Sequence, residues 1–205
     1  MSNIIVNPYN LTLEEQKIIG EKFKTHTDWD TSDNFDEIKK NIRDFLRIEQ
    51  DNKCCYCKRE LGFDIKEVDI EHIIAKSLHW KFTFEPLNLA LSCPGCNTKK
   101  GDTNILAKSI VRYPKNSKNV TIIHAHYDKY DENINIIDNC IFEPISKKGS
   151  HTITVCELFR IKIAEKKAKE VIVNRSPESK LIDLIVNAPA DQLSIAFAEL
   201  MKRIK

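Results

Sequence analysis

The sequence predicts an α+β protein in which a small metal-stapled centre lies between mainly helical flanks. Three observations predict it. Apolar residues recur at helical spacing near both ends of the chain. Four of the seven cysteines fall in two C-x-x-C pairs. Between those pairs lies VDIEHIIAKS (Val68 to Ser77), where strand-forming residues surround Asp69, Glu71 and His72.

The N-terminal region, residues 1–50, carries two helical patterns. Leu11 to Lys24 opens with a capping box from Thr12 to Glu15. From Phe35 to Glu49, Phe35, Ile38, Ile42, Phe45 and Leu46 share one face with charges opposite. Residues 51–110 then lose helical periodicity and gain cysteines and turns. In residues 111–205, Val120 to Ala125, Ile134 to Phe142 and Thr152 to Val155 read as short extended segments. They are followed by helices over Leu158 to Ile172 and Asp191 to Ile204. The last is the clearest in the chain, with Leu193, Ala196, Phe197, Leu200, Met201 and Ile204 in phase. There is no internal repeat or low-complexity linker.

Composition narrows the class. The chain is 41% hydrophobic and 30% charged with five glycines, as expected of a soluble globular protein. A net charge of +2 is too small for bulk electrostatic binding of nucleic acid, so any such contact is local. The opening MSNIIVNPYN lacks a signal-peptide pattern, and no run approaches the roughly 20 apolar residues that span a bilayer. The expected location is cytoplasmic, away from membranes.

The pairs are Cys54 and Cys57 in NKCCYCKRELG, and Cys93 and Cys96 in LSCPGCNTKKGD. Two such turns present four thiolates to one tetrahedral ion, which favours structural zinc over an iron–sulfur site or free thiols. Gly62 and Gly95 are expected to give the turns their backbone freedom. Cys55 is expected to point away, and Cys140 and Cys156 to be small core residues. Zinc would clamp both ends of Lys58 to Ser92 around the VDIEHIIAKS strand. On a strand Asp69 and Glu71 share a face and His72 takes the other, although a turn at the strand end lets neighbours converge. Asn88 follows in NLALSC, and Pro94 opens a short helix that carries Asn97, Lys99 and Lys100.

Paired C-x-x-C turns, an acidic residue before a histidine on a strand, a later asparagine, and C-x-x-C followed by Asn97 and lysines together resemble the HNH endonucleases. The likeness runs from Asn52 to Thr103 in the family's order. It departs at Glu71, where aspartate is commoner, and at Asn97, where many members carry histidine, so the chain reads His-Asn-Asn. The resemblance implies a ββα-metal fold and metal-dependent hydrolysis of DNA phosphodiesters, with RNA left open. It implies His72 as general base, with Glu71 and Asn97 holding a divalent Mg2+ or Mn2+ distinct from the zinc. Asn88 would orient His72 or pin the loop, and Lys99 or Lys100 would face a phosphate. Whether Asp69 joins the metal stays open.

Farther on, DENINIIDNCIFEP and KKGSHTITVCELFRIKIAEKKAKEV resemble the region after the core in HNH effectors of prokaryotic anti-phage systems, the Septu-type and retron-associated ones. That likeness implies an ATPase partner, with the flanks as its docking scaffold. His124 and His126 read as an exposed or hydrogen-bonded pair in preference to a metal site. The rival function is a non-catalytic zinc module that binds nucleic acid or a protein. A redox use of the thiols is a third reading, which tight zinc occupancy would exclude.

Overall fold

A computed structural model describes residues 4–163 and 166. Met1–Phe159 form one compact unit, and Arg160–Lys205 a second. The first unit holds α1 (Leu13–Lys22), α2 (Asp28–Thr31), α3 (Asp36–Glu49), β1 (Asp69–His72), β2 (Leu89–Ser92), α4 (Pro94–Lys100), β3 (Ile134–Ile137), β4 (Ile141–Pro144) and α5 (Lys147–Val155). This is the expected α+β class, with small antiparallel strand pairs among helices.

α1 begins where the capping box requires. Thr12 Oγ1 accepts from the Glu15 N–H at 3.2 Å, and Glu15 returns a 2.8 Å bond to the Thr12 N–H. It stops at Lys22, short of the expected Lys24, because the Asp28 carboxylate draws the N–H groups of Lys24 and Thr25 into the next turn. α3 buries Ile38, Ile42 and Leu46, as its periodicity predicts, with Phe35 buried just ahead of it. Its C-cap residue, Gln50, docks the helix on β2. Gln50 Oε1 accepts from the Leu91 N–H at 2.6 Å, and Nε2 donates to the Leu91 carbonyl at 3.0 Å.

β1 and β2 pair antiparallel, with Asp69 opposite Ser92 and His72 opposite Leu89. Pro94 then starts α4, giving a strand–strand–helix unit within reach of both cysteine pairs. The left-handed backbone of the first turn falls on Lys58 (φ 56°) and not on Gly62. α4 ends on Gly101 (φ 51°) and not on Gly95, a left-handed exit that glycine allows cheaply.

The expected extended segments after the core are redrawn. Within Val120 to Ala125, only Val120 joins a ladder, as a single bridge to Leu106. Its neighbours satisfy their backbone elsewhere: the Ile123 N–H on Thr152 Oγ1, the His124 N–H on Asp128. Ile134 to Phe142 is not one segment but most of a hairpin. Asp138 and Asn139, both at positive φ, reverse the chain between β3 and β4. Thr152 to Val155 is helical, the second half of α5. Ser146 caps that helix, and Thr152 and Thr154 bond back to the carbonyls of Lys148 and Ser150, which reconciles these β-branched residues with a helix. Of the expected Leu158 to Ile172 helix, residues 159–163 are helical. The rest of it, apart from residue 166, and all of Asp191 to Ile204 lie outside the described residues. No helix among the described residues is long and apolar enough to cross a membrane.

Candidate active site and metal centre

Cys54, Cys57, Cys93 and Cys96 bring their sulfurs within 4.8 Å of one another. Tetrahedral zinc with Zn–S bonds of about 2.3 Å needs sulfurs roughly 3.8 Å apart, and Cys57 and Cys93 stand at 3.9 Å. The donor set and its spacing fit structural zinc. Cys55, Cys140 and Cys156 lie outside the set, as expected. The first turn is tied down on two sides. The Cys55 N–H donates to the Leu91 carbonyl at 2.9 Å, and the Tyr130 hydroxyl to the Tyr56 carbonyl at 2.7 Å.

Beside this cluster a cleft of ≈ 450 Å³ is lined by Asp69, Glu71, His72 and Asn97. β1 ends at His72, and there the backbone turns enough for His72 to reach the same cleft as the carboxylates. Glu71 is 1% exposed. Its Oε1 meets the Lys100 ammonium at 2.7 Å and accepts from the Tyr56 hydroxyl at 3.1 Å. Its Oε2 is buried with no hydrogen-bond partner. Burial pushes the Glu71 carboxyl up, and the charge and hydrogen bonds of Lys100 and Tyr56 pull it back. Asn97 Nδ2 donates to Asp69 Oδ2 at 2.8 Å, which leaves its amide oxygen available as a donor atom to a cation. The unpartnered carboxylate oxygen, the second carboxylate and the amide oxygen are hard donors, of the kind that magnesium or manganese prefers.

His72 is 8% exposed and lies edge-on to Trp29 at 4.7 Å. Burial, then the nearby charge of Lys76, holds its pKa down at about 3, so the ring is neutral near pH 7. Its Nε2 lies 3.0 Å from the Thr83 carbonyl, which can only accept. That bond places the ring's proton on Nε2 and the free lone pair on Nδ1.

The two lysines expected to face phosphate are otherwise engaged. Lys100 is 2% exposed and bonds the His72 carbonyl as well as Glu71. Lys99 pairs with Glu157 at 2.8 Å. The signal for Lys100 was present in its spacing: it follows Asn97 by one helical turn and therefore shares its face. Tyr56, Trp29 and the Thr83 carbonyl carried no such signal, because only the folded chain brings them to Glu71 and His72.

Asn88 is wholly buried and ties the loop between the strands. Its Oδ1 accepts from the Ile74 N–H at 2.7 Å, and its Nδ2 donates to the carbonyls of Ile74 and Phe82 at 3.0 Å each. Phe82 immediately precedes Thr83, whose carbonyl bonds His72.

His124 and His126 are buried, not exposed, and both rings are used. The His126 N–H donates to His124 Nδ1 at 3.2 Å, so His124 Nε2 carries the proton and meets Tyr113 Oη at 2.8 Å. The Tyr113 hydroxyl donates to the Leu87 carbonyl at 2.9 Å and lies 3.3 Å from Asn88 Oδ1. His126 Nε2 bonds the Leu89 carbonyl at 2.8 Å. Tyr113→Phe strands the His124 N–H and the Leu87 carbonyl. It is expected to destabilise the protein by about 1–3 kcal/mol, read as a lower urea midpoint at an unchanged slope.

Two comparisons with known proteins cover this region. Residues 54–103 match the family model of the HNH endonuclease. The chain is also similar to the Septu protein PtuB of Bacillus thuringiensis, 28% identical over 142 residues. That alignment takes in 69% of this chain and 50% of the relative, so the chain spans half the length of the protein it matches.

Proposed function

We propose that this protein is a metal-dependent HNH endonuclease that hydrolyses DNA phosphodiester bonds and serves anti-phage defence beside an ATPase partner. The observation that carries the catalytic reading is the convergence in one cleft of a neutral, oriented His72 with the unpartnered oxygen of Glu71. Similarity to the HNH family and to a Septu protein supports the wider role.

His72 Nδ1 takes a proton from a water molecule as its oxygen attacks the phosphorus. The Thr83 carbonyl steadies the imidazolium so formed through the Nε2 proton. The phosphorus–O3′ bond breaks, leaving 5′-phosphate and 3′-hydroxyl ends. Asn88 acts through the loop, holding Thr83 and so the imidazole in place. Glu71, Asn97 and Asp69 would hold a magnesium or manganese ion, which supplies charge neutralisation at the phosphate and at the leaving oxygen. Lys99 is the more exposed of the two expected lysines and would have to leave Glu157 to meet a phosphate. In this reading residues 1–50 and 111–205 flank a nuclease core at 51–110 and form the surface on which the partner docks.

One observation favours a second reading, a zinc module that binds without cutting. Lys100 already neutralises the carboxylate that a catalytic ion would use. Supercoiled plasmid offered with magnesium or manganese separates the two. The nuclease reading expects relaxed circles, blocked by EDTA and restored by excess magnesium. Plasmid bound but never nicked, with either ion, would hand the function to the binding module.

A further inference from the structure

Among the described residues the cleft is lined by four cationic side chains, Lys39, Arg43, Lys76 and Lys100. Three of them have carboxylate partners: Lys39 with Asp36 at 2.6 Å, Lys76 with Asp30 at 2.9 Å, and Lys100 with Glu71 at 2.7 Å. Among the described residues Arg43 forms no ion pair, and its Nε is buried with no hydrogen-bond partner there. A guanidinium carries five donors in a rigid fork, so leaving part of it desolvated and unbonded beside a cleft is costly unless an acceptor arrives.

The helix that carries Arg43 is held firmly. Ile38, Ile42 and Leu46 of α3 are each 2% exposed or less, and Gln50 locks the helix end to Leu91 of β2 through both its amide atoms. Arg43 therefore stands at a fixed place relative to β1, on the cleft wall that the N-terminal flank provides. The same cleft contains Asp30, Asp69, Glu71 and Asp102, and Arg43 pairs with none of them. Their partners are lysines in two cases, and for Asp69 the Asn97 amide. The acceptor that fits the remaining fork is an anion brought into the cleft.

Resting on the nuclease reading above, we infer that Arg43 is a substrate-binding residue whose guanidinium grips a backbone phosphate of the nucleic acid. This makes the helix before the HNH core part of the substrate site. It gives the near-neutral chain a local, bidentate phosphate contact that its net charge does not advertise. It also supplies the contact for which Lys100 is too deeply buried.

The test uses the full chain made inactive by His72→Ala, loaded with zinc, and a short fluorescein-labelled DNA duplex with its single strand as second probe. Binding is followed by fluorescence anisotropy over a range of salt, with and without Arg43→Gln or Arg43→Lys. Arg43→Gln is expected to weaken binding about ten- to hundredfold and to make the plot of log affinity against log salt shallower by about 0.9. Arg43→Lys should restore the slope but only part of the affinity, since it keeps the charge and loses the fork. Zinc content and melting temperature of each protein are matched to the His72→Ala parent, and the lysine variant carries the test if the glutamine variant fails that check. Parental affinity and slope in the Arg43 variants would overturn the inference and leave the nuclease reading standing. Failure of the His72→Ala parent to bind either probe would remove the nuclease reading, and the inference with it.

Discussion

His72→Ala is expected to lower the rate of phosphodiester cleavage about 10²–10⁴-fold while the protein keeps its zinc and its fold. The separation follows from how His72 is held. Its ring makes one hydrogen bond, to a backbone carbonyl, and packs edge-on against Trp29, which also lines the cleft. Losing that ring costs a modest amount of packing. Thr83 and the loop retain their own anchors in Asn88 and in the Thr83 hydroxyl, which donates to the Trp80 carbonyl at 2.7 Å. Catalysis has no such reserve, because among the residues facing the carboxylate pair only this imidazole combines an uncharged state with a directed lone pair. The measurement is single-turnover cutting of a labelled duplex, with zinc content and thermal unfolding recorded on the same preparations. A variant that cuts at the parental rate would remove His72 from the mechanism and redirect attention to another residue of the cleft.

Much of this could be read before folding because it depends on local chemistry. The capping box at Thr12, the apolar face of α3 and the paired C-x-x-C turns each use residues close in sequence, and each recurs in the structure. The strand that ends at His72 and the helix start at Pro94 that carries Asn97 also lie where they were expected. What escaped is what tertiary contact decides. Val120 to Ala125 has the composition of a strand, but it pairs with its neighbour only around Val120, and the N–H groups of Ile123 and His124 turn to the side chains of Thr152 and Asp128. The Asp138–Asn139 turn signal was present, but the apolar residues on both sides made the segment look continuous. Lys100 was expected, with Lys99, as a phosphate contact, and only the approach of β1 to α4 shows that its partner is Glu71. The polar chain from Asn88 through Tyr113 to His124 spans residues far apart in sequence, and no spacing rule would have joined them.

Cys93→Ser is expected to have the larger structural effect, losing zinc and much of the cooperative fold of the core together. The elements that zinc would join are individually too small to persist. β1 and β2 are four residues each, and α4 is seven. A two-stranded hairpin is marginal in water and a helix that short does not form alone. Structural zinc in small peptides contributes on the order of 10 kcal/mol or more, against a typical whole-domain stability of about 5–15 kcal/mol, so weakening one ligand removes a large share of the total. The loss should propagate to the cleft, because the Tyr56 hydroxyl that bonds Glu71 is carried by the first cysteine turn. Zinc stoichiometry and circular dichroism melts on the parent, Cys93→Ser and Cys140→Ala make the comparison. Cys140 lies outside the four-sulfur set, and its variant should bind zinc like the parent. If Cys93→Ser melts with the parent, the sulfurs are not a staple and the core is held by its packing and hydrogen bonds, those of α3, Gln50, Asn88 and Tyr130 among them. If it unfolds while His72→Ala does not, then loss of activity through structure and through chemistry are separated within one small domain. The two metal roles, clamping the strands and acting on the phosphate, can then be assigned to different residues by experiment.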